Sequence, residues 1–204
     1  MDTKKVQSLL KTFGFDINDT ETALITTYLN MVLKWNKAIN LTGYQTAEEI
    51  LQFLVTDSLY VARFLKTLNL PTPLQTLDVG AGAGFPGIPL RIVWHQGLYT
   101  LIERREKRAL FLANVLANLN LPETLLFRGS VENIAVQADL IISKAFLPWQ
   151  KLLPFIRPLL KQESILIVLT TQACPNLASW TLCHEMHYTL EQKQRFLWAI
   201  SPRS

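Results

Sequence analysis

The sequence predicts an α/β protein: a doubly wound, mostly parallel sheet of seven strands, with an antiparallel strand pair at its C-terminal end and a helical extension before it. Three observations lead there. From Leu74 onward, short apolar runs alternate with segments of helical periodicity, the pattern of parallel strands joined by crossover helices. A glycine-rich turn, Gly80-Ala81-Gly82-Ala83-Gly84, closes the first of those runs. The last two runs, Glu185–Gln192 and Gln194–Ile200, follow one another with no helical segment between them, so they are expected to pair antiparallel.

Each element has its own signal. Residues 20–38 place Leu24, Ile25, Tyr28, Leu29, Val32, Leu33 and Trp35 at helical spacing. Thr46-Ala47-Glu48-Glu49 has the form of a capping box, which opens a second amphipathic helix running to about Lys66. Asn69-Leu70-Pro71-Thr72-Pro73 breaks that period and reads as a linker. It divides a helical extension, 1–70, from residues 71–204, which are expected to form one compact cofactor-binding unit. Strands are expected there at 75–79, 98–103, 124–128, 138–142 and 164–169, with helices at 86–94, 106–119 and 148–160.

Composition narrows the class. With 49% hydrophobic and 18% charged residues, the 204-residue chain is that of an ordered globular protein. No apolar run approaches the roughly 20 residues of a membrane helix, and Met1-Asp2-Thr3-Lys4-Lys5 opens no apolar signal region. Two cysteines, Cys174 and Cys183, are too few for a disulfide scaffold and fit a reducing compartment. A cytoplasmic protein with no membrane partner is therefore expected. Residues 1–70 carry seven basic and seven acidic side chains; residues 71–204 carry thirteen and nine, which accounts for the whole net charge of +4. Basic surface beside a cofactor loop favours a polyanionic partner.

Ligands of open α/β sheets sit at the carboxyl ends of the strands. Four features should meet there. The glycines at 80, 82 and 84 permit backbone angles closed to other residues and let a ligand approach the main chain. Pro86 and Pro89 suit the helix start that follows. Glu103 ends the second strand, where a carboxylate can accept both hydroxyls of a ribose. Ser130-Val131-Glu132 follows the third strand, and Ser143-Lys144-Ala145-Phe146 the fourth. Gly82 through Gly87 formally match the G-x-G-x-x-G dinucleotide fingerprint. Residues 78–84 also fit Asp-x-Gly-x-Gly-x-Gly, and Asp78 favours this second form: a carboxylate repels a pyrophosphate but tolerates the cationic sulfonium of S-adenosylmethionine.

Several stretches together resemble the bacterial 16S ribosomal RNA guanine-N7 methyltransferases, the glucose-inhibited division protein B family. They are Asn30 through Thr42, Asp57-Ser58-Leu59, Asp78 through Leu90, Lys107 through Leu112, and Ser143 through Phe146. The resemblance covers about residues 20–172 and implies a class I methyltransferase, Rossmann-like fold. It implies S-adenosylmethionine as cofactor, with Gly80, Phe85, Val131, Glu132 and Lys144 lining its pocket. It implies 16S rRNA or the small ribosomal subunit as partner; Lys144 and Arg195 are the candidate side chains facing the substrate, and a monomer is expected. The resemblance departs at polar positions. Phe53-Leu54 stand where the family usually has Arg-His, Ser130 and Lys144 where it has Arg, and Leu169-Thr170-Thr171 where it has Leu-Lys-Gly.

No catalytic base is identified, and N7 chemistry asks for none, because the acceptor nitrogen already presents its lone pair. The Asn/Asp-Pro-Pro-aromatic tetrad often expected for exocyclic-amine methylation is absent from the fourth strand's end. No metal is expected: Cys174, Cys183, His184 and His187 fit no common ligand spacing. Arg104-Arg105-Glu106-Lys107-Arg108 is either a solvated helix opening or a phosphate contact. On the residues alone, a nicotinamide-dependent oxidoreductase and a non-catalytic cofactor- or ribosome-binding protein stay as alternatives.

Overall fold

The stretches Leu166–Val168 and Trp198–Ile200 carry apolar side chains on both faces of the sheet, and this forces a layer of chain onto each side. Leu166, Val168, Trp198 and Ile200 face one cluster, while Ile167 and Ala199, between them in sequence, face the other. Side chains alternate along a strand, so a run without polar interruption is buried twice.

The computed structural model describes residues 1–203. Seven strands form one sheet in the order β3-β2-β1-β4-β5-β7-β6. They are β1 (Gln75–Val79), β2 (Leu98–Glu103), β3 (Thr124–Arg128), β4 (Ala138–Lys144), β5 (Leu160–Thr170), β6 (Trp180–Leu190) and β7 (Lys193–Pro202). The first five run parallel. β7 pairs antiparallel with β5, and β6 antiparallel with β7. The strand order reverses between β1 and β4, which places a crevice at their carboxyl ends.

The helices are α1 (Thr3–Thr12), α2 (Asp19–Ile39), α3 (Ala47–Ile50), α4 (Thr56–Leu65), α5 (Gly87–Val93), α6 (Glu106–Leu119) and α7 (Trp149–Ile156). Val6, Leu10, Ile25, Leu29 and Phe64 of the N-terminal helices join Phe111, Leu112, Leu140 and Ile142 in a single buried cluster. Leu152, Leu153 and Ile156 of α7 cover the opposite face with Leu77, Val79 and Ile102.

Four features differ from the sequence reading. α1 was not anticipated, because only Val6 and Leu10 of its ten residues are buried; Asp2 caps it by accepting the Lys5 N–H at 2.9 Å. The capping box at Thr46 is present, but the expected continuous helix is interrupted by a π-helical turn, Leu51–Val55, before α4 resumes. α7 ends at Ile156, where Pro154 and Pro158 remove amide donors and a 3₁₀ turn, Arg157–Leu159, takes over. β5 and β6 begin at Leu160 and Trp180, earlier than expected, in stretches whose exposed polar residues hide strand periodicity.

Candidate active site

β1 delivers the chain into a turn that only glycine fits easily. Gly80, Gly82 and Gly84 have φ of +72°, +59° and +90°. The turn is pinned by backbone bonds from Ala81 N–H to the Ile102 carbonyl at 2.9 Å and from Gly84 N–H to the Ala81 carbonyl at 2.7 Å. From the N-terminal side, the Tyr28 hydroxyl donates to the Ala83 carbonyl at 2.5 Å. Burial raises the Tyr28 phenol well above its ordinary pKa, so it stays a donor.

Glu103 closes the other wall. Its Oε2 accepts the Gly82 N–H at 2.8 Å and its Oε1 accepts the Arg105 N–H at 2.7 Å. A carboxylate has about four acceptor positions, so two remain for a ligand's hydroxyls. Glu103 is buried and still lines a cavity of about 210 Å³ at the carboxyl ends of β1, β2 and β3. Gly80, Val131 and Glu132 line the same cavity, with Arg104, Arg105 and Arg108 at its edge. The Ser130 hydroxyl donates to Glu132, and this bond holds that carboxyl below its usual pKa. Phe146 also lines the cavity and lies against Gly80, where any Cβ would collide with its ring.

Other expected site residues stand elsewhere. Asp78 does not line the cavity: it lies beneath the turn, accepting from the Tyr99 hydroxyl at 3.0 Å, and desolvation lifts its pKa to about 7. Gly82 is one step back, its N–H turned to Glu103. Gly84 is packed inside, so close that a Cβ would meet Ile88 Cγ1 at 2.6 Å. Phe85, expected at the adenine end, is buried against Tyr28 with ring centroids 5.2 Å apart. Gly84 and the Phe85 ring thus pack inside the turn, against Ile88 and Tyr28.

Lys144 and Arg195 belong to a second cavity, of about 330 Å³, which touches the first at Ala145. Lys144 Nζ lies 2.6 Å from Asp57 Oδ2 of α4. The Tyr188 hydroxyl of β6 donates to Asp57 Oδ1 at 2.8 Å, and Arg195 Nε of β7 stands 3.9 Å from the same oxygen. Tyr188 is fixed by stacking on Tyr60 at 3.8 Å, and its pKa is driven up first by burial and then by the Asp57 charge. Tyr44 and Phe53 stack at 5.1 Å, their planes nearly parallel, along the cavity wall. The sequence reading missed Tyr28, Tyr44, Tyr60 and Tyr188 as site builders. Asp57 enters there only as a point of likeness; the available signal was an acid followed by Leu59, Val61, Ala62, Phe64 and Leu65 in a largely buried helix. Of the polar departures, Phe53, Leu54, Lys144, Thr170 and Thr171 all line this second cavity, and Ser130 lines the first.

A sheet of this order, closing on an antiparallel pair and bending through glycines toward a carboxylate on the neighbouring strand, defines the class I methyltransferase fold. Solved structures agree on the fold. MtNAS in complex with S-adenosylmethionine aligns with a TM-score of 0.63 at 15% identity, over 100% of this chain and 85% of that one. Magnesium protoporphyrin IX methyltransferase from Synechocystis PCC 6803 gives 0.60 at 13%, over 85% and 97%. The family model GidB, rRNA small subunit methyltransferase G, matches residues 21–195, and the chain belongs to that family. Ribosomal RNA small subunit methyltransferase G of Lawsonia intracellularis is 39% identical over 94% of this chain and 91% of its own. The protein of the same name from Nitratidesulfovibrio vulgaris is 38% identical over 98% and 94%.

Proposed function

We propose that this protein transfers the methyl group of S-adenosylmethionine to N7 of a guanine in 16S rRNA, acting in the cytoplasm on the small ribosomal subunit or its RNA. The single observation that carries the reading is the Gly80 turn facing Glu103 across one cavity, in a chain of the rRNA small subunit methyltransferase G family. Among the described residues no helix is long and apolar enough to cross a membrane.

The residues present fit the cofactor. Glu103 keeps acceptor capacity for ribose hydroxyls, Val131 offers an apolar wall for a purine, and Gly80 and Glu132 complete the lining. Bound there, S-adenosylmethionine supplies an electrophilic methyl group on a cationic sulfur. Guanine N7 carries an in-plane lone pair and no proton, so these residues need not include a general base. They hold two partners in line and keep water out, which by itself lowers a barrier substantially. Lys144 and Arg195, in the adjoining cavity, are the side chains that face the RNA in this reading.

Mass spectrometry of 16S rRNA from a deletion strain tests it. One N7-methylguanine is expected to disappear and to return on complementation with the wild-type gene. An unchanged level removes the proposal.

A further inference from the structure

The second cavity has the chemistry of a base pocket. Enzymes that modify a base inside folded nucleic acid take it out of its stack and hold it in a pocket, commonly against an aromatic face. About 330 Å³ lies within the size range of small-ligand pockets, roughly 300–1,000 Å³. Its wall carries two half-buried rings stacked on each other, Tyr44 and Phe53, contributed by the loop after α2 and the π-helical turn. Its polar end carries two cations and one buried acid. Asp57 accepts from Lys144 at Oδ2 and from Tyr188 at Oδ1, so both of its oxygens anchor these groups. Lys144 spends one of three ammonium protons there, and Arg195 at 3.9 Å spends little of its guanidinium. The two cations therefore keep donors for a ligand, beside the Tyr44, Thr170 and Thr171 hydroxyls, which can donate or accept.

That donor set selects among purines. Guanine presents two acceptors side by side, N7 and O6, whereas adenine puts an amino donor where O6 would be. Two cations at the end of the pocket satisfy O6 and have nothing to accept from an adenine amino group. Ala145 lines both cavities, so a base seated here borders the cofactor site.

We infer that the second cavity receives the target guanine, stacked on the Tyr44–Phe53 pair with O6 turned to Lys144 and Arg195. The inference rests on the proposed methyl transfer to guanine N7 and names the residues that position its substrate. Phe53 and Tyr44 are positioning residues for the base, while Asp57 positions the two cations.

The test uses the full chain with unmethylated small subunits from the deletion strain. Stacking on one aromatic residue is worth about ten- to hundredfold in affinity. Phe53→Ala and Phe53→Leu are expected to raise KM for the subunit at least about tenfold, Phe53→Trp to keep it near wild type. Calorimetric affinity for S-adenosylmethionine and the thermal midpoint of Phe53→Leu should stay close to wild type. Leucine keeps apolar volume without a π face, so a loss in both Leu and Ala with recovery in Trp marks stacking. An active wild type whose KM is unmoved by Phe53→Ala and Phe53→Leu overturns the pocket and leaves the function standing. A wild type that binds the cofactor yet methylates no subunit overturns the functional reading and the pocket with it.

Discussion

The two cavities that meet at Ala145 are made of different material. The first is built on a main-chain turn: Gly80 lines it, the turn's N–H groups are fixed by Glu103 and by the Ile102 carbonyl of the adjacent strand, and Glu103, Val131 and Phe146 complete the wall. The second is walled by side chains drawn from α4, the π-helical turn, the ends of β4 and β5, and the terminal hairpin. A backbone cradle tolerates little change, because its shape is set by φ angles only glycine adopts cheaply. A side-chain pocket can be rebuilt one residue at a time on a fixed scaffold. The positions at which this chain departs from its family resemblance sort accordingly: five line the second cavity, and the glycine turn is untouched.

The largest effect expected is in the second cavity, at its buried anchor. Asp57→Ala leaves Lys144 without its carboxylate at 2.6 Å, removes the acceptor of Tyr188 and frees Arg195. Breaking a buried ion pair from one side costs about 3–5 kcal/mol, and the partial exposure of Lys144 places this case near the lower end. Denaturant titration should show that loss. A variant as stable as wild type would mean that the cluster is solvated and the cavity wider than described.

How much of this was legible follows the same division. The turn, Glu103 and the alternation of strands and helices announce themselves within short stretches of chain, because the rules for strands, glycine turns and helix starts are local. Asp57 meets Lys144 across 87 residues and Tyr188 across 131, and no local pattern encodes such a meeting. Lys144 was expected beside the cofactor from its place after β4. The strand does end at the site, but the Asp57 charge holds the ammonium on the second cavity's side. Phe85, which the family resemblance implies at the cofactor, shows the same limit: no local pattern says which way its ring points, and the ring packs on Tyr28 in the core.

A second effect, of opposite sign, lies under the first cavity. Asp78 is buried, and desolvation raises its pKa from 3.8 to about 7 despite bonds from Tyr99 and the Gly87 N–H. Below about pH 4 the group is protonated in both folded and unfolded chains. Between about pH 4 and 7 only the unfolded chain ionises it, so this group's contribution to stability falls as pH rises, then levels off. Asp78→Asn removes that dependence. Its stability relative to wild type should climb across this window, by at most on the order of 4 kcal/mol. Thermal midpoints of both proteins at pH 5 and pH 8 measure the climb. A constant difference would show that Asp78 is ionised in the fold at both values.

The smallest effect separates strain from occupancy within the turn itself. Gly82 and Gly80 share the left-handed region, at φ of +59° and +72°. A Cβ on Gly82 would reach Arg108 Nη1 at 3.4 Å, an ordinary contact, so Gly82→Ala adds little beyond the backbone cost of about 1 kcal/mol. In a chain of this length that is a fall of about 2–4 °C in thermal midpoint. A Cβ on Gly80 would run into the Phe146 ring, which has to move off the cavity wall. Gly80→Ala therefore carries the same backbone cost plus the displacement of Phe146, and calorimetric affinity for S-adenosylmethionine reads the second part alone. Equal midpoints and equal affinities in the two variants would mean that Phe146 swings away freely, and that Gly80 is kept for its φ angle rather than for the space above it.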